Sequence, residues 1–315
     1  WLSELKLRVS FGQTGNSNIG GNAYEYYEAG NQYVFGDAVQ TGSIKSQLEN
    51  PDLKWETTTE LNVGLDFGFL NNRITGSFEY FHKVVSDLLA FRKLNSLMEV
   101  STIADNIGAT QSTGYEFSLN TVNLTGPFKW NTTLNISSYN DRWKERNPDV
   151  VLAPYEKEDA PIRAIYGCVS DGILQIGETP PASMPDLLPG QMKVKDLNGF
   201  DPNDGSKLLG HPDGKIDAAD RIYLGSTDPK VIIGFGNMFE YKNFDLNIFF
   251  YGMFGQYVAN SNRAKYGPSG CEYILQRQNY SKEVLERWTP DNPTNKFPSG
   301  FYSAYYGGDD WLLEK

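Results

Sequence analysis

The segment Glu60-Leu61-Asn62-Val63-Gly64-Leu65-Asp66-Phe67-Gly68-Phe69 is apolar at every second position and polar or glycine between. Successive side chains of a strand point to opposite faces, so this segment predicts a strand with one greasy and one wet face. The alternation returns near the start of the chain. There Leu5, Leu7, Val9 and Phe11 share one face, and Lys6, Arg8 and Ser10 the other. In all it predicts seven membrane strands, at about residues 4–13, 55–69, 74–90, 110–121, 128–140, 230–241 and 244–253.

The connections alternate too. Short turns fall at Asn71-Asn72, Gly126-Pro127 and Lys242-Asn243, and every other connection is long. A meander threaded through a membrane has short turns on one side and large loops on the other. A soluble antiparallel sandwich that binds carbohydrate is the alternative, but it has no reason to keep that parity. Aromatic residues gather near the expected strand ends: Trp55, Phe67, Phe69, Tyr80, Phe81, Phe128, Trp130, Tyr241 and Phe244. Interfacial girdles have this distribution. The expected fold is therefore all-β, an antiparallel transmembrane β-barrel present as a fragment. Seven strands leave two open edges, an aggregation hazard, so further strands are expected outside the chain. The ends, Trp1-Leu2-Ser3 and Leu313-Glu314-Lys315, carry neither a leader nor a closing turn, and the chain reads as an internal piece of a longer protein.

Composition sharpens the picture. Aromatics are 14%, with 19 Tyr and 18 Phe, and there are 31 Gly, as strands and turns require. The mean hydropathy of −0.47 and the lack of a long apolar run exclude a helical membrane protein. Neither excludes a barrel, in which only alternate residues face lipid. A net charge of −11 argues against nucleic-acid binding. Two cysteines, Cys168 and Cys271, make no disulfide framework or metal set, although one bridge between them is open.

The connecting segments carry more specific patterns. Ser10-Phe11-Gly12-Gln13-Thr14-Gly15-Asn16 is followed by Asn50-Pro51-Asp52-Leu53-Lys54-Trp55-Glu56, then Leu65-Asp66-Phe67-Gly68-Phe69-Leu70-Asn71-Asn72-Arg73. Asp196-Leu197-Asn198-Gly199, Asp213-Gly214-Lys215-Ile216-Asp217 and Tyr241-Lys242-Asn243-Phe244-Asp245-Leu246 come later. In this order they resemble the SusC/RagA-like TonB-dependent outer-membrane receptors of Bacteroidetes, over nearly the whole chain. The resemblance implies a barrel of about 22 strands around a plug. It also implies nutrient import powered through TonB, and a SusD-like surface lipoprotein acting as a lid over captured oligosaccharide or peptide. The chain would correspond to a C-terminal part of that barrel, without the plug or the closing strands.

Candidate chemistry is sparse. Asp196, Asn198, Asp213, Asp217 and Asp220 follow a D-x-N-G…D-G-x-I-x-x-x-D pattern once the insertion after Gly199 is set aside. The pattern looks like a calcium loop, since calcium takes several carboxylate and amide oxygens around a glycine turn. An Asx- and Gly-rich hairpin is the metal-free alternative. No cofactor is required, and calcium is the one candidate ion. Exposed loops rich in Tyr, such as Tyr24, Tyr26, Tyr27, Tyr33, Tyr266 and Tyr305, suit sugar rings or peptide side chains. No catalytic residues are assigned: His82 and His211 sit in no triad or zinc motif. A surface glycosidase would need two carboxylates converging in a cleft, and a calcium-dependent adhesion or docking domain would lose its binding to a chelator. The polar positions Glu60, Asn62, Asp66, Glu79, Glu116, Asn131 and Asn135 are expected to line the lumen. Leu61, Val63, Leu65, Phe67, Leu134 and Ile136 are expected to meet lipid.

Overall fold

The computed structural model describes residues 1–17, 24–95, 97–98, 100–148, 150–260, 279–299 and 313–314. In chain order the strands are β1 (Leu2–Asn16), β2 (Tyr26–Phe35), β3 (Ala38–Gln47), β4 (Glu56–Phe69), β5 (Ile74–Ser86), β6 (Leu89–Lys93) and β7 (Thr102–Asn106). They continue with β8 (Ala109–Thr125), β9 (Phe128–Glu145), β10 (Ala164–Gly167), β11 (Ser170–Ile173), β12 (Met192–Val194), β13 (Phe200–Asp201) and β14 (Asp204–Leu208). β15 (Ile222–Ser226), β16 (Val231–Tyr241) and β17 (Phe244–Phe254) follow, and a short pair, Val258–Ala259 with Leu313–Glu314, comes last.

Seven strands form one sheet in the order β1-β4-β5-β8-β9-β16-β17. Alternation places the wall strands within a few residues of their observed bounds. β8 and β9 run four and five residues past their expected ends, to Thr125 and Glu145, whereas β5, expected to 90, stops at Ser86. Asp87 takes a left-handed φ of 56°, which breaks the strand, and the next residues enter a separate hairpin, β6–β7. The hairpins β2–β3 and β6–β7 lie inside segments expected to be loops. The turn after β4 runs through Leu70, Asn71 and Asn72 at φ 54°, 55° and 62°, and Asn tolerates that region better than most residues.

Register carries the facing pattern across the sheet. Leu7, Leu65, Phe78, Phe117, Ile136 and Ile233 form one cross-strand row. Lys6, Asp66, Ser77, Ser118, Asn135 and Gly234 form the adjacent row on the opposite face. Along these rows one face of the wall is apolar, and the other is polar or small. At the short-turn end the apolar face is aromatic. Trp1 stacks on Phe69 with ring centroids 5.8 Å apart, and Phe128 and Trp130 lie 6.0 and 5.8 Å from Phe239. Phe81 departs from the girdle expectation. It pairs with Asn62 and Gly114 on the wet face, and its ring covers the space where a Gly114 side chain would sit.

A second compact unit comprises residues 152–157, 163–230 and the described part of 253–315. Its core is Cys168, Leu174, Met184, Leu187 and Val194, with Ile216 packed against it. The 279–299 segment folds onto this unit. Trp288 is 4% exposed and donates from its indole N–H to Gln175 Oε1 at 2.9 Å, and the Asn295 side chain accepts from the Ile173 N–H at 3.2 Å. The longest excursion of the chain is therefore a folded unit with its own core.

Candidate functional site

Two places merit chemical attention: the wet face of the wall and the acidic loop of the second unit. On the wall, Arg8 of β1 makes a forked contact with Asp66 of β4, Nε to Oδ2 at 2.8 Å and Nη2 to Oδ1 at 2.7 Å. The same Nη2 reaches Glu79 of β5 at 2.5 Å. Glu79 lies opposite Glu116 of β8, and both border a groove of about 470 Å³ with Ser118, Asn135, Phe249 and Tyr251. Ionisable groups at membrane depth are costly unless paired or facing a water-filled interior, so this face is one that water or protein occupies. The register puts Asn62, Asp66, Glu79, Glu116 and Asn135 on this face, as alternation implies.

The five residues of the candidate calcium pattern do come together. The insertion after Gly199 folds as the hairpin β13–β14, closed by a hydrogen bond from the Leu209 N–H to the Gly199 carbonyl at 2.8 Å. Gly199 then packs so tightly against Asp213 that a Cβ there would sit 2.5 Å from the Asp213 Cβ. Each side chain accepts from backbone. Asp196 takes the N–H groups of Asp213 and Gly214 at 3.3 and 2.8 Å, and Asn198 takes that of Gly210 at 2.7 Å. Asp213 takes that of Lys215 at 2.9 Å, and Asp217 that of Ala219 at 2.7 Å. Asp220 is fully buried. It accepts from Leu197, Asn198 and Asp217 at 2.7, 3.1 and 2.8 Å, closing a capping box with Asp217. Among the described residues, no group of three or more His, Cys, Asp or Glu is placed to hold a metal ion.

Around this loop, charge is tied down locally. Lys193 donates to Glu178, and with the Gln175 N–H it holds that carboxyl below the usual carboxylate range. Lys207 and Ser206 do the same for Asp204. On the β2–β3 hairpin, Glu25 at 2.8 Å and then Tyr27 push the Lys45 ammonium up. Tyr24, Tyr26, Tyr27 and Tyr33 are exposed along or beside that hairpin. Tyr266, Tyr305 and Cys271 lie outside the described residues, whereas Cys168 is buried in the core of the second unit.

The model of the TonB-dependent receptor-like β-barrel family matches residues 1–182, more than half of the chain. The chain belongs to that family. It is 31% identical over 94% of its length to TonB-dependent receptor P3 of Formosa agariphila. It is 32% identical over 90% of its length to TonB-dependent receptor SusC of Bacteroides thetaiotaomicron. In structure, all of it superposes on a third of a chain of the RagAB peptide transporter, with a TM-score of 0.75 and 23% identity. It covers 29% of the length of receptor P3 and 28% of SusC, so it spans less than a third of these relatives. Family membership makes the seven-stranded sheet a sector of an outer-membrane barrel. Its apolar rows are the lipid face and its polar rows the interior face. The resemblance to SusC/RagA-like receptors, carried by the short ordered motifs, is the one that these comparisons find.

Proposed function

We propose that this chain forms part of the wall and the folded outer loops of a TonB-dependent importer for large nutrients, glycans or peptides. The observation that carries the reading is the two-faced wall. Apolar rows on one side and a polar side bearing Arg8, Asp66, Glu79 and Glu116 on the other suit a lipid-embedded barrel with a hydrated interior. Energy would arrive through TonB by way of a plug, and a SusD-like lipoprotein would cover the loops. The TonB dependence in the name of SusC supports the energy source, and the fold shared with the RagAB peptide transporter is compatible with a peptide cargo. No catalytic step is assigned to the chain.

Calcium at the acidic loop is part of the proposal only as an ion that the remaining lone pairs of Asp196, Asn198 and Asp213 could accept. The backbone donors already organise the loop. Calorimetric titration of the full-length receptor with calcium, with melting before and after chelation, tests it. The absence of both calcium heat and any change in melting would dispose of the ion.

The test of the main reading is fractionation of cells making the full-length protein, with growth of a deletion strain on a panel of glycans and peptides. An outer-membrane location and loss of growth on one polymer support the importer and name its cargo. A soluble product would overturn it in favour of a carbohydrate-binding sandwich.

A further inference from the structure

Alternation specifies this sheet only in part. A one-residue slip between strands would send every apolar side chain to the wet face, so the pattern forbids it. A two-residue slip leaves every side chain on its own face, because the period is two, and the pattern is blind to it. Short turns remove that ambiguity for β4–β5, β8–β9 and β16–β17, since turn type and length fix the register of a hairpin. The pairs β1–β4, β5–β8 and β9–β16 are joined by long connections and lack such a constraint.

Each of those three pairs carries polar side-chain contacts that depend on one register. In β9–β16, Lys129 meets Glu240 at 2.8 Å, and Asn237 Oδ1 accepts from Trp130 Nε1 and Thr132 Oγ1 at 2.9 and 2.8 Å. In β5–β8, the hydroxyls of Ser77 and Ser118 lie 2.8 Å apart, and His82 Nδ1 lies 2.9 Å from Thr113 Oγ1. In β1–β4 the contact is a charged fork. Arg8, Gly64 and Glu79 occupy one cross-strand row, with Gly64 between the other two. The Arg8 guanidinium crosses over Gly64 to Glu79 while holding Asp66 with its fork. A Cβ at Gly64 would lie 3.0 Å from Arg8 Nη2 and 3.1 Å from Cζ, so the glycine makes room for the crossing. A slip by two would set Arg8 opposite Asn62 or Asp66 instead, taking away the glycine and misplacing both carboxylates.

We propose that Arg8, Gly64, Asp66 and Glu79 form a register clamp that places strand β1 on the barrel wall during assembly. Charge-assisted, bidentate contacts have the directionality for this. The clamp is independent of the cargo and of the transport reading, because it needs only the membrane sheet.

Cysteine cross-linking in the full-length receptor, cleared of native cysteines, reads the register directly. Ser10→Cys with Asn62→Cys reports the native pairing, which places these two residues opposite each other. Gly12→Cys with Asn62→Cys, and Ser10→Cys with Glu60→Cys, report the two slipped pairings. With the clamp intact, only the first pair cross-links. Introducing Arg8→Gln or Gly64→Val should lower that yield and bring up a slipped pair. Cross-linking confined to the native pair in both variants would overturn the clamp. Where a variant yields no assembled barrel, the reversed set Arg8→Asp with Asp66→Arg and Glu79→Gln decides, the last change removing the carboxylate that an aspartate at position 8 would meet. Recovery of assembled barrel with the native cross-link supports the clamp, and failure to recover overturns it.

Discussion

Leu65 and Asp66 are neighbours in sequence and opposites in environment. Leu65 sits in the apolar row with Leu7 and Phe78, and Asp66 in the polar row with Lys6 and Ser77. A charge on the lipid face costs about 2–4 kcal/mol near the bilayer midplane. Leu65→Arg in the intact receptor is therefore expected to lower barrel yield and melting temperature more than Asn62→Arg, on the wet face and outside the clamp, does. Equal effects, measured by heat-modified gel mobility, would reverse the facing assignment. Asp220 makes the other sharp prediction at this scale. Its buried carboxylate receives three backbone donors, and removal leaves them without acceptors. Each hydrogen bond to a charged group contributes about 1.5–3 kcal/mol, so Asp220→Ala should destabilise the loop unit by at least about 2 kcal/mol. Limited proteolysis between residues 196 and 220 should show it, with Asp220→Asn intermediate.

At the scale of elements, the second unit should be sensitive to acid. Glu178 and Asp204 are held below their ordinary range by Lys193 and Lys207. A carboxylate whose folded pKa is lowered contributes stability above its unfolded value, about 4 for these groups, and loses it as pH falls through the folded value. Proteolytic protection of segments 170–208 is expected to be constant from neutral pH down to the ordinary carboxylate range and to weaken below it. Lys193→Met should reduce the Glu178 share of that acid sensitivity, the Gln175 N–H keeping the remainder. The same unit depends on Gly190, at φ 89° beneath the Trp288 ring. Gly190→Ala should strain the backbone and displace Trp288, seen as a change in its fluorescence, because an L side chain fits neither that backbone nor that space.

For the whole molecule, the open edges β1 and β17 bound a sector of wall, and the relatives supply about three times its length. Expressed alone without detergent, the chain is expected to aggregate through its apolar rows and unpaired edges. A monomer at micromolar concentration by analytical ultracentrifugation would contradict a membrane sheet and favour the sandwich.

The wall strands and most of their facing were legible in the sequence because they depend on a period of two, whereas the hairpins β2–β3 and β6–β7 were missed. The parity of turns and loops carried the step from strand to membrane meander for the same reason. The acidic pattern was legible as a set, since Asp196, Asn198, Asp213, Asp217 and Asp220 do share one loop. Their use was not, because donors such as the N–H groups of Gly210 and Leu197 come from backbone that only the closed β13–β14 hairpin brings near. The core of Cys168, Leu174, Met184, Leu187 and Val194 was hidden as well. Its apolar residues follow no helical or strand period and meet only through non-local packing. The Arg8 fork belongs with these. Sequence alone determined which face Arg8 occupies, whereas its partners on β4 and β5 follow from a register that tertiary pairing sets across long connections.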